Sequence, residues 1–310
     1  MTRFRTNSGE ARTLPQGVWP VMLTPFTPDG AIDWAGVELL TEWYLDVGVA
    51  GLFAVCLSSE MYHLTNNERR ALAVRIEQQV AGRVPVVATG TFGGTIAQQA
   101  EDILRMAESG VAAVVVNANQ VADAGEPEAV WQARMAHLLE LTGETPLGLY
   151  ECPQPYHRLL SAEMLGWAAA TGRCVFHKDT ACAMAPIRAK LAAVQGTPLR
   201  WLNANTPTLT TSLLAGGDGY CGTGANVMPE LYVWLCRNAS HPHAQRLQRF
   251  LSIADLVMRA KYPASAKVFL SRGGLKIQPT CRAATANFSE EELLALDHLR
   301  EMAAEIALEF

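Results

Sequence analysis

Lysine is scarce in this chain of 310 residues. Five lysines (178, 190, 261, 267 and 276) stand beside twenty arginines. Acidic residues outnumber basic ones, 30 to 25, so the net charge is −5 and no excess of basic charge marks a nucleic-acid or anionic membrane partner. Because lysines are few, the position of each is informative. Lys178 is the most unusual, since it ends an apolar run in "GRCVFHKDTAC".

Long apolar runs and paired-cysteine motifs are also missing. No segment reaches about 18 uninterrupted apolar residues, and "MTRFRTNSGEART" lacks the apolar core of a signal peptide, so we expect a short flexible arm over residues 1–16. Seven cysteines without a CxxC spacing favour reduced, mostly buried thiols and a cytoplasmic protein over a disulfide framework. His241 and His243 have no cysteine or carboxylate at ligand spacing, so no metal site is expected.

Short apolar runs alternate with longer stretches that have helical periodicity. Such runs are typical of parallel strands covered on both faces. Helices are predicted over 66–81, 95–109 and 126–141, and Asp33 and Ser161 are good residues to begin further helices. The predicted strands cover residues 18–23, 51–57, 84–89, 112–116, 147–150, 174–178, 199–203 and 219–222.

The alternation of eight strands with eight helices predicts a (β/α)₈ TIM barrel over residues 17–225. A doubly wound open sheet is the alternative, because periodicity does not report whether a sheet closes. Residues 226–310 contain no clear strand and predict a C-terminal helical extension.

Lys178 ends the predicted sixth strand, and catalytic groups of TIM barrels lie at such strand ends. Two roles are open for it. It can pair with Asp179 or Glu151 as an ordinary ion pair. It can also be a Schiff-base nucleophile, since removal from water favours the neutral amine that attacks a carbonyl.

Other candidate residues follow neighbouring strands. Tyr150 ends the fifth strand, where its phenol can exchange protons beside Lys178 or simply cap the core. Ser58 and Ser59 follow the second strand and either bind a carboxylate or form an ordinary turn. The segment 217–222 matches G-x-G-x-x-G, but it enters a strand instead of a helix, so it does not indicate a dinucleotide. Its glycines are expected to let the eighth strand pass close to a ligand.

Five segments, in matching order over roughly residues 17 to 230, resemble motifs of the dihydrodipicolinate synthase and N-acetylneuraminate lyase family of Schiff-base-forming class I lyases. They are "VWPVMLTPFTPDGAID", "GVAGLFAVCLSSEMYHLTNNERRAL", "PLGLYECP", "FHKDT" and "LLAGGDGYCGTGANVMPEL". The resemblance implies that Lys178 forms an imine with pyruvate or another 2-oxo acid and that Tyr150 transfers protons. It places Ser58 and Ser59 on the carboxylate-binding loop, and Cys221 and Val21 around the substrate's methyl group.

The chain departs from the family pattern on the side of the second substrate. Leu57 replaces a relay threonine, "NANQVADAGEP" lacks the tyrosine that a neighbouring subunit usually lends, and Glu151 replaces an asparagine. Pro155 stands where the synthases have an arginine for the aldehyde's carboxylate, with His157 and Arg158 as possible substitutes. These changes argue against aspartate semialdehyde as the acceptor.

The sequence therefore predicts a class I lyase for aldol cleavage, condensation or dehydration of a 2-oxo acid, such as a 2-keto-3-deoxy sugar acid. The chemistry needs no metal or organic cofactor, because the imine is itself the electron sink. Two alternatives stay open: a dihydrodipicolinate synthase with substituted relay groups, and a non-catalytic 2-oxo-acid-binding protein. The family likeness also implies a homotetramer or homodimer.

Overall fold

Eight parallel strands close into a barrel. The computed structural model describes residues 13–283 and 287–310. The strands follow the order β1-β8-β7-β6-β5-β4-β3-β2, and a parallel bridge between Val21 and Phe53 joins the two ends of that series. The predicted TIM barrel is thus confirmed, and the open sheet is excluded. The strands are β1 (Gly17–Val18), β2 (Leu52–Val55), β3 (Val86–Thr89), β4 (Ala113–Asn117), β5 (Leu147–Tyr150), β6 (Cys174–Asp179), β7 (Arg200–Asn203) and β8 (Gly219–Tyr220).

The first strand is shorter than predicted because of Pro20. A proline has no N–H to donate to a sheet, so regular pairing ends at Val18. The chain stays on course beyond it: the Pro20 carbonyl accepts from the Phe53 N–H at 3.0 Å, and Val21 then forms the closing bridge.

Helices cover the barrel and continue beyond it. They are α1 (Trp34–Val47), α2 (Asn66–Val80), α3 (Ile96–Ala107), α4 (Ala118–Val121), α5 (Glu128–Leu141), α6 (Ala162–Ala170), α7 (Met184–Val194), α8 (Leu209–Leu214), α9 (Pro229–Arg237), α10 (Ala244–Arg259), α11 (Ala264–Arg272) and α12 (Glu290–Ala307). The last four follow the final strand, and α11 is a helix that the sequence pattern did not reveal. The alternation is also less strict than predicted, since α4 is a single turn.

The predicted helix starts at Asp33 and Ser161 are confirmed. The Asp33 carboxylate accepts from the Gly36 N–H at 3.0 Å, and the Ser161 hydroxyl from the Met164 N–H at 3.1 Å. These bonds satisfy backbone donors that have no partner inside the helix.

The structure differs from two expectations, one for the N-terminal arm and one for the glycines of the eighth strand. Leu14, placed in the predicted arm, is buried, and Gln16 donates to Asp218 at 2.8 Å; residues 1–12 of that arm lie outside the described ranges. Side chains are excluded at Gly219 by the Gly17 carbonyl and at Gly222 by the Tyr220 ring. The glycines of the eighth strand therefore accommodate neighbouring parts of the protein, not a ligand as expected.

Two further features bear on the setting of the protein. No helix among the described residues combines the length and the apolar character needed to cross a membrane. All seven cysteines fall within the described ranges and are free; Cys56, Cys152, Cys174 and Cys221 are buried, and Cys182 is exposed.

Candidate active site at the mouth of the barrel

Lys178 is a buried lysine near the end of strand β6. Strand β6 carries it to the end of the barrel, where its backbone pairs in register with Tyr150 on β5. Only 4% of its surface is exposed, and its Nζ lies 4.2 Å from the centre of the Tyr150 ring and 5.8 Å from that of Phe53. Within 13–283 and 287–310 it forms no ion pair.

The two acids next to the candidate residues pair with a different lysine. Side chains alternate along a strand, so Asp179 points away from the face of β6 that carries Lys178. Lys190, on α7, donates to Glu151 Oε1 at 2.5 Å and to Asp179 Oδ2 at 2.6 Å, and all three side chains are buried. The possible ion pair of Lys178 with Asp179 or Glu151 is therefore not formed.

The buried cluster also contains His177, whose Nε2 lies 3.6 Å from Asp179 and 3.8 Å from Glu151. Burial raises the pKa of Asp179, but His177 and Lys190 outweigh that effect and hold the pKa well below its usual value. Glu151, His177 and Asp179 are close enough to ligate a cation. The Lys190 ammonium already lies against both carboxylates, and it supplies the positive charge that such a site would need.

Tyr150 packs its ring against the amine of Lys178. It is 3% exposed, and its ring meets Phe53 edge-on with 5.9 Å between the centres. Burial, followed by the thiols of Cys152, Cys56 and Cys221, raises the pKa of Tyr150 well above its usual value. The phenol is thus protonated at neutral pH and is able to act as an acid.

Cys221 and Val21, the predicted neighbours of the substrate's methyl group, are both fully buried. Cys221 follows β8, and burial raises the pKa of its thiol to about 12, although the charge of Lys178 opposes this shift. A neutral thiol and an isopropyl group offer no charge to a ligand. They suit an apolar group such as a methyl.

The two serines differ in their roles. Ser59 donates to the backbone carbonyl of Met22 at 2.9 Å and accepts from the Cys56 N–H at 2.9 Å, so its hydroxyl holds the loop to the barrel. Ser58 is buried, and its hydroxyl interacts with the phenol of Tyr262, whose other partner is Asn226 at 2.6 Å. The Ser59 hydroxyl is thus bound by the backbone, whereas that of Ser58 interacts with another side chain.

Tyr262 is a functional candidate that sequence reasoning missed. It lies in the turn between α10 and α11, in the region predicted only as a helical extension. No local pattern distinguishes it, because its place beside Ser58 depends on how the last helices pack on the barrel. It places a second phenol against the loop that carries the two serines.

The loop with both serines is also held from the C-terminal region. The backbone of Glu60 is in the left-handed conformation (φ 59°), which residues other than glycine rarely adopt. Its carboxylate accepts from Lys267 Nζ at 2.7 Å and from the backbone N–H groups of Arg282 and Ala283 at 2.6 and 2.7 Å. This buried pair fixes the turn that presents Ser58.

The predicted substitutes for the missing arginine are separated by the structure. Arg158 donates to the carbonyls of Asp123 and Glu126, both at 2.8 Å, so it braces a loop instead of facing the mouth. His157 Nε2 lies 2.7 Å from the hydroxyl of Thr180, two residues after Lys178, so it remains at the rim. The side predicted to bind the second substrate therefore carries the imidazole of His157 and the hydroxyl of Thr180 instead of the guanidinium of Arg158.

A family comparison covers nearly the whole chain. The model of the dihydrodipicolinate synthetase family matches residues 14–303. A 4-hydroxy-tetrahydrodipicolinate synthase of Gluconacetobacter diazotrophicus is 27% identical over 290 residues, which are 90% of this chain and 94% of that protein. YagE of Escherichia coli, named as a 2-dehydro-3-deoxy-D-gluconate aldolase, is 28% identical over 230 residues, 71% of this chain and 73% of its own.

Solved structures show the same fold at lower identity. A monomeric variant of dihydrodipicolinate synthase superposes with a TM-score of 0.86 at 20% identity, covering 96% of this chain and 99% of that one. The structure of YagE in complex with pyruvate superposes with a TM-score of 0.84 at 23% identity, covering 93% of this chain and 98% of that one.

Proposed function

The chain belongs to the dihydrodipicolinate synthetase family, and on that premise we propose that it is a class I lyase acting through a Schiff base between Lys178 and a 2-oxo acid such as pyruvate. The observation that carries the proposal is a buried lysine at the end of a barrel strand, beside a protonated phenol and with no counter-ion in the part of the chain that the structure describes. A lysine kept only for stability would pair with an acid, as Lys190 and Lys267 do.

Different side chains carry out the successive steps of the proposed reaction. The neutral amine of Lys178 attacks the keto carbon, and Tyr150 gives a proton to the departing hydroxyl, which leaves as water. Ser58 and Tyr262 donate hydrogen bonds to the substrate's carboxylate, and Cys221 and Val21 surround its methyl group. Loss of a proton from that methyl group gives an enamine, which adds to an aldehyde; the reverse sequence cleaves an aldol.

We further propose that the second partner is a polyhydroxylated aldehyde, so that the cleaved substrate is a 2-keto-3-deoxy sugar acid. The rim carries His157 and Thr180, which suit hydroxyl groups, whereas Arg158 is engaged elsewhere. The second candidate is dihydrodipicolinate synthesis. It is supported by the curated synthases that match this chain over most of its length.

Trapping with borohydride tests the Schiff base. Incubation with pyruvate and borohydride is expected to add one reduced pyruvate at Lys178, located by mass spectrometry of peptides. Lys178→Ala should give no adduct and keep its melting temperature, while Lys276→Ala, the change of an exposed lysine, should label like the wild type. An absent adduct, or one on another lysine, would rule out this mechanism.

Turnover separates the two reactions and the non-catalytic alternative. Pyruvate release from 2-keto-3-deoxy acids is expected, with slow condensation of pyruvate and aspartate semialdehyde. A missing charge-assisted contact to a carboxylate reduces efficiency about ten- to a hundredfold. An efficiency of about 10⁴ M⁻¹s⁻¹ or more with aspartate semialdehyde would restore the synthase assignment. An adduct without turnover on any of these substrates would favour a binding protein.

We also propose that the protein is a homodimer or homotetramer in the cytoplasm. Ile253 and Leu256 on α10 are 64% and 65% exposed and lie on one helical face with Val257, as an interface between copies would require. The free cysteines support a reducing compartment. Sedimentation velocity checks the assembly, and Ile253→Lys is expected to shift it toward the monomer.

A further inference from the structure

His157 is held at the ends of the two strands that carry Tyr150 and Lys178. Its Nε2 lies 2.7 Å from the hydroxyl of Thr180, two residues after Lys178. That hydroxyl donates in turn to the backbone carbonyl of Glu151, the residue after Tyr150, at 2.8 Å. The imidazole is therefore attached to the segments that immediately follow both candidate residues.

The neighbours of His157 in the chain turn in another direction. The Tyr156 hydroxyl donates to the carbonyl of Ala122, which lies in the segment between α4 and α5. The Arg158 guanidinium donates to two further carbonyls of the same segment, both at 2.8 Å. These bonds fix the chain on both sides of His157, whose side chain alone bridges to the loop after β6.

The hydrogen bonds also determine which imidazole nitrogen carries the proton. A hydroxyl has one proton, and that of Thr180 is donated to a carbonyl, which can only accept. The contact between Thr180 and His157 therefore requires Nε2 of the neutral ring to donate. Nδ1 then carries a lone pair, and within 13–283 and 287–310 it accepts no hydrogen bond. His157 is exposed, so a ligand can reach the ring.

We propose that His157 selects the second substrate by accepting a hydrogen bond at Nδ1 from one of its hydroxyl groups, and that Thr180 fixes the tautomer that this requires. The inference rests on the proposed Schiff-base function and adds to it the group that recognises the aldehyde. A hydroxyl can donate to the nitrogen lone pair, whereas a carboxylate has no proton to donate and is repelled by it. The same nitrogen thus favours a hydroxylated aldehyde and disfavours an aldehyde that carries a carboxylate.

Condensation of pyruvate with three small aldehydes measures this selectivity. Glyceraldehyde carries hydroxyl groups, succinic semialdehyde carries a carboxylate, and propanal carries neither. His157→Gln keeps an amide at the position of Nε2 but has no group at that of Nδ1. The ratio of kcat/KM for glyceraldehyde to that for propanal should fall about three- to tenfold, the effect of one hydrogen bond between neutral groups. His157→Asn, whose amide lies at the position of Nδ1, should keep more of this ratio.

Thr180→Val tests the tautomer separately. Valine has nearly the shape of threonine but accepts no hydrogen bond, so the ring becomes free to hold its proton on Nδ1. The efficiency with glyceraldehyde should then fall while that with succinic semialdehyde rises, whereas a disturbed loop alone would lower both. Thr180→Ser should restore the wild-type preference. Nitrogen-15 NMR of protein labelled at histidine should show the change of tautomer, with His157→Gln identifying the signals of this ring.

Tyr156→Phe is the matched control, because it removes a hydroxyl from the adjacent residue that does not contact Thr180. Its ratio for glyceraldehyde and propanal should equal that of the wild type. An unchanged ratio in His157→Gln, an equal change in Tyr156→Phe, or a wild-type ring protonated only on Nδ1 would overturn the inference. An adduct at Lys178 without condensation of glyceraldehyde would overturn it as well. An absent adduct in the wild type would overturn the Schiff base itself.

Discussion

Replacing Lys190 by methionine tests how the buried cluster is stabilised. The change keeps an unbranched side chain of similar length but removes the ammonium that lies 2.5 and 2.6 Å from two buried carboxylates. Removing one partner of a buried ion pair typically destabilises a protein by about 3–5 kcal/mol, because a charge is left without compensation. The total free energy of unfolding is about 5–15 kcal/mol, so the variant should be markedly less stable.

The stability of the Lys190→Met variant should also change with pH, in the opposite direction to that of the wild type. In the wild type the pKa of Asp179 is depressed, so its contribution to stability holds above the ordinary value of 3.8 and disappears only in stronger acid. Without the ammonium, only His177 opposes the effect of burial, so the pKa of Asp179 should rise. The variant should therefore gain stability as the pH falls from about 8 toward 5, where protonation removes the unpaired charge.

Urea unfolding followed by circular dichroism at several pH values measures both effects. Lys261→Met is the control, since the same change breaks a partly exposed pair with Glu292 and should lower the free energy of unfolding much less. Neutralising the acids as well, with Glu151→Gln and Asp179→Asn, should recover much of the lost stability. If Lys190→Met loses less than about 1 kcal/mol and shows no new pH dependence, the reasoning from the cluster is wrong.

Three further predictions concern single side chains. Tyr150→Phe keeps the ring but removes the phenol's proton, so turnover should fall roughly 10²- to 10⁴-fold with an unchanged melting temperature; a wild-type rate would make Tyr150 a packing residue. Lys267→Met leaves Glu60 buried without its counter-ion, so more pyruvate should be needed for half-maximal adduct formation, and an unchanged requirement would contradict the role of this pair in fixing the loop. Burial raises the pKa of Glu77 from 4.5 to about 7. Ionising this carboxyl in the folded protein therefore costs about 3 kcal/mol more than in the unfolded chain, and stability is lost as the pH rises through this range. Thermal melts of Glu77→Gln should show a gain at pH 8 that vanishes near pH 5, and an equal gain at both would refute the assignment.

Local patterns were sufficient for the strands of the barrel and for the positions of the candidate residues along it, although they did not report that the sheet closes. Apolar runs located every strand to within a few residues, because strands covered on both faces need them. Where β1 ended early, the cause was a single proline. The pattern also placed Lys178 and Tyr150 at strand ends, and the structure sets them in register.

Contacts between distant segments were not predictable in the same way. The sequence left Asp179 and Glu151 as possible partners of Lys178, whereas both pair with Lys190 on a helix behind the strand. Tyr262 reaches Ser58 across about two hundred residues of chain, and no spacing in the sequence reports such a meeting. Packing of helices on the barrel decides these partners, and periodicity describes only one element at a time.

The contacts that hold the Glu60 carboxylate have a consequence for the synthesis of the protein. Glu60 leaves the ribosome early, but its partners Lys267, Arg282 and Ala283 follow more than two hundred residues later. A nascent chain with all eight strands still lacks the groups that hold the serine loop. Translation products that stop before residue 267 would contain the barrel without a finished substrate pocket. If Ser58 binds the substrate's carboxylate as proposed, binding requires the last helices to have been made.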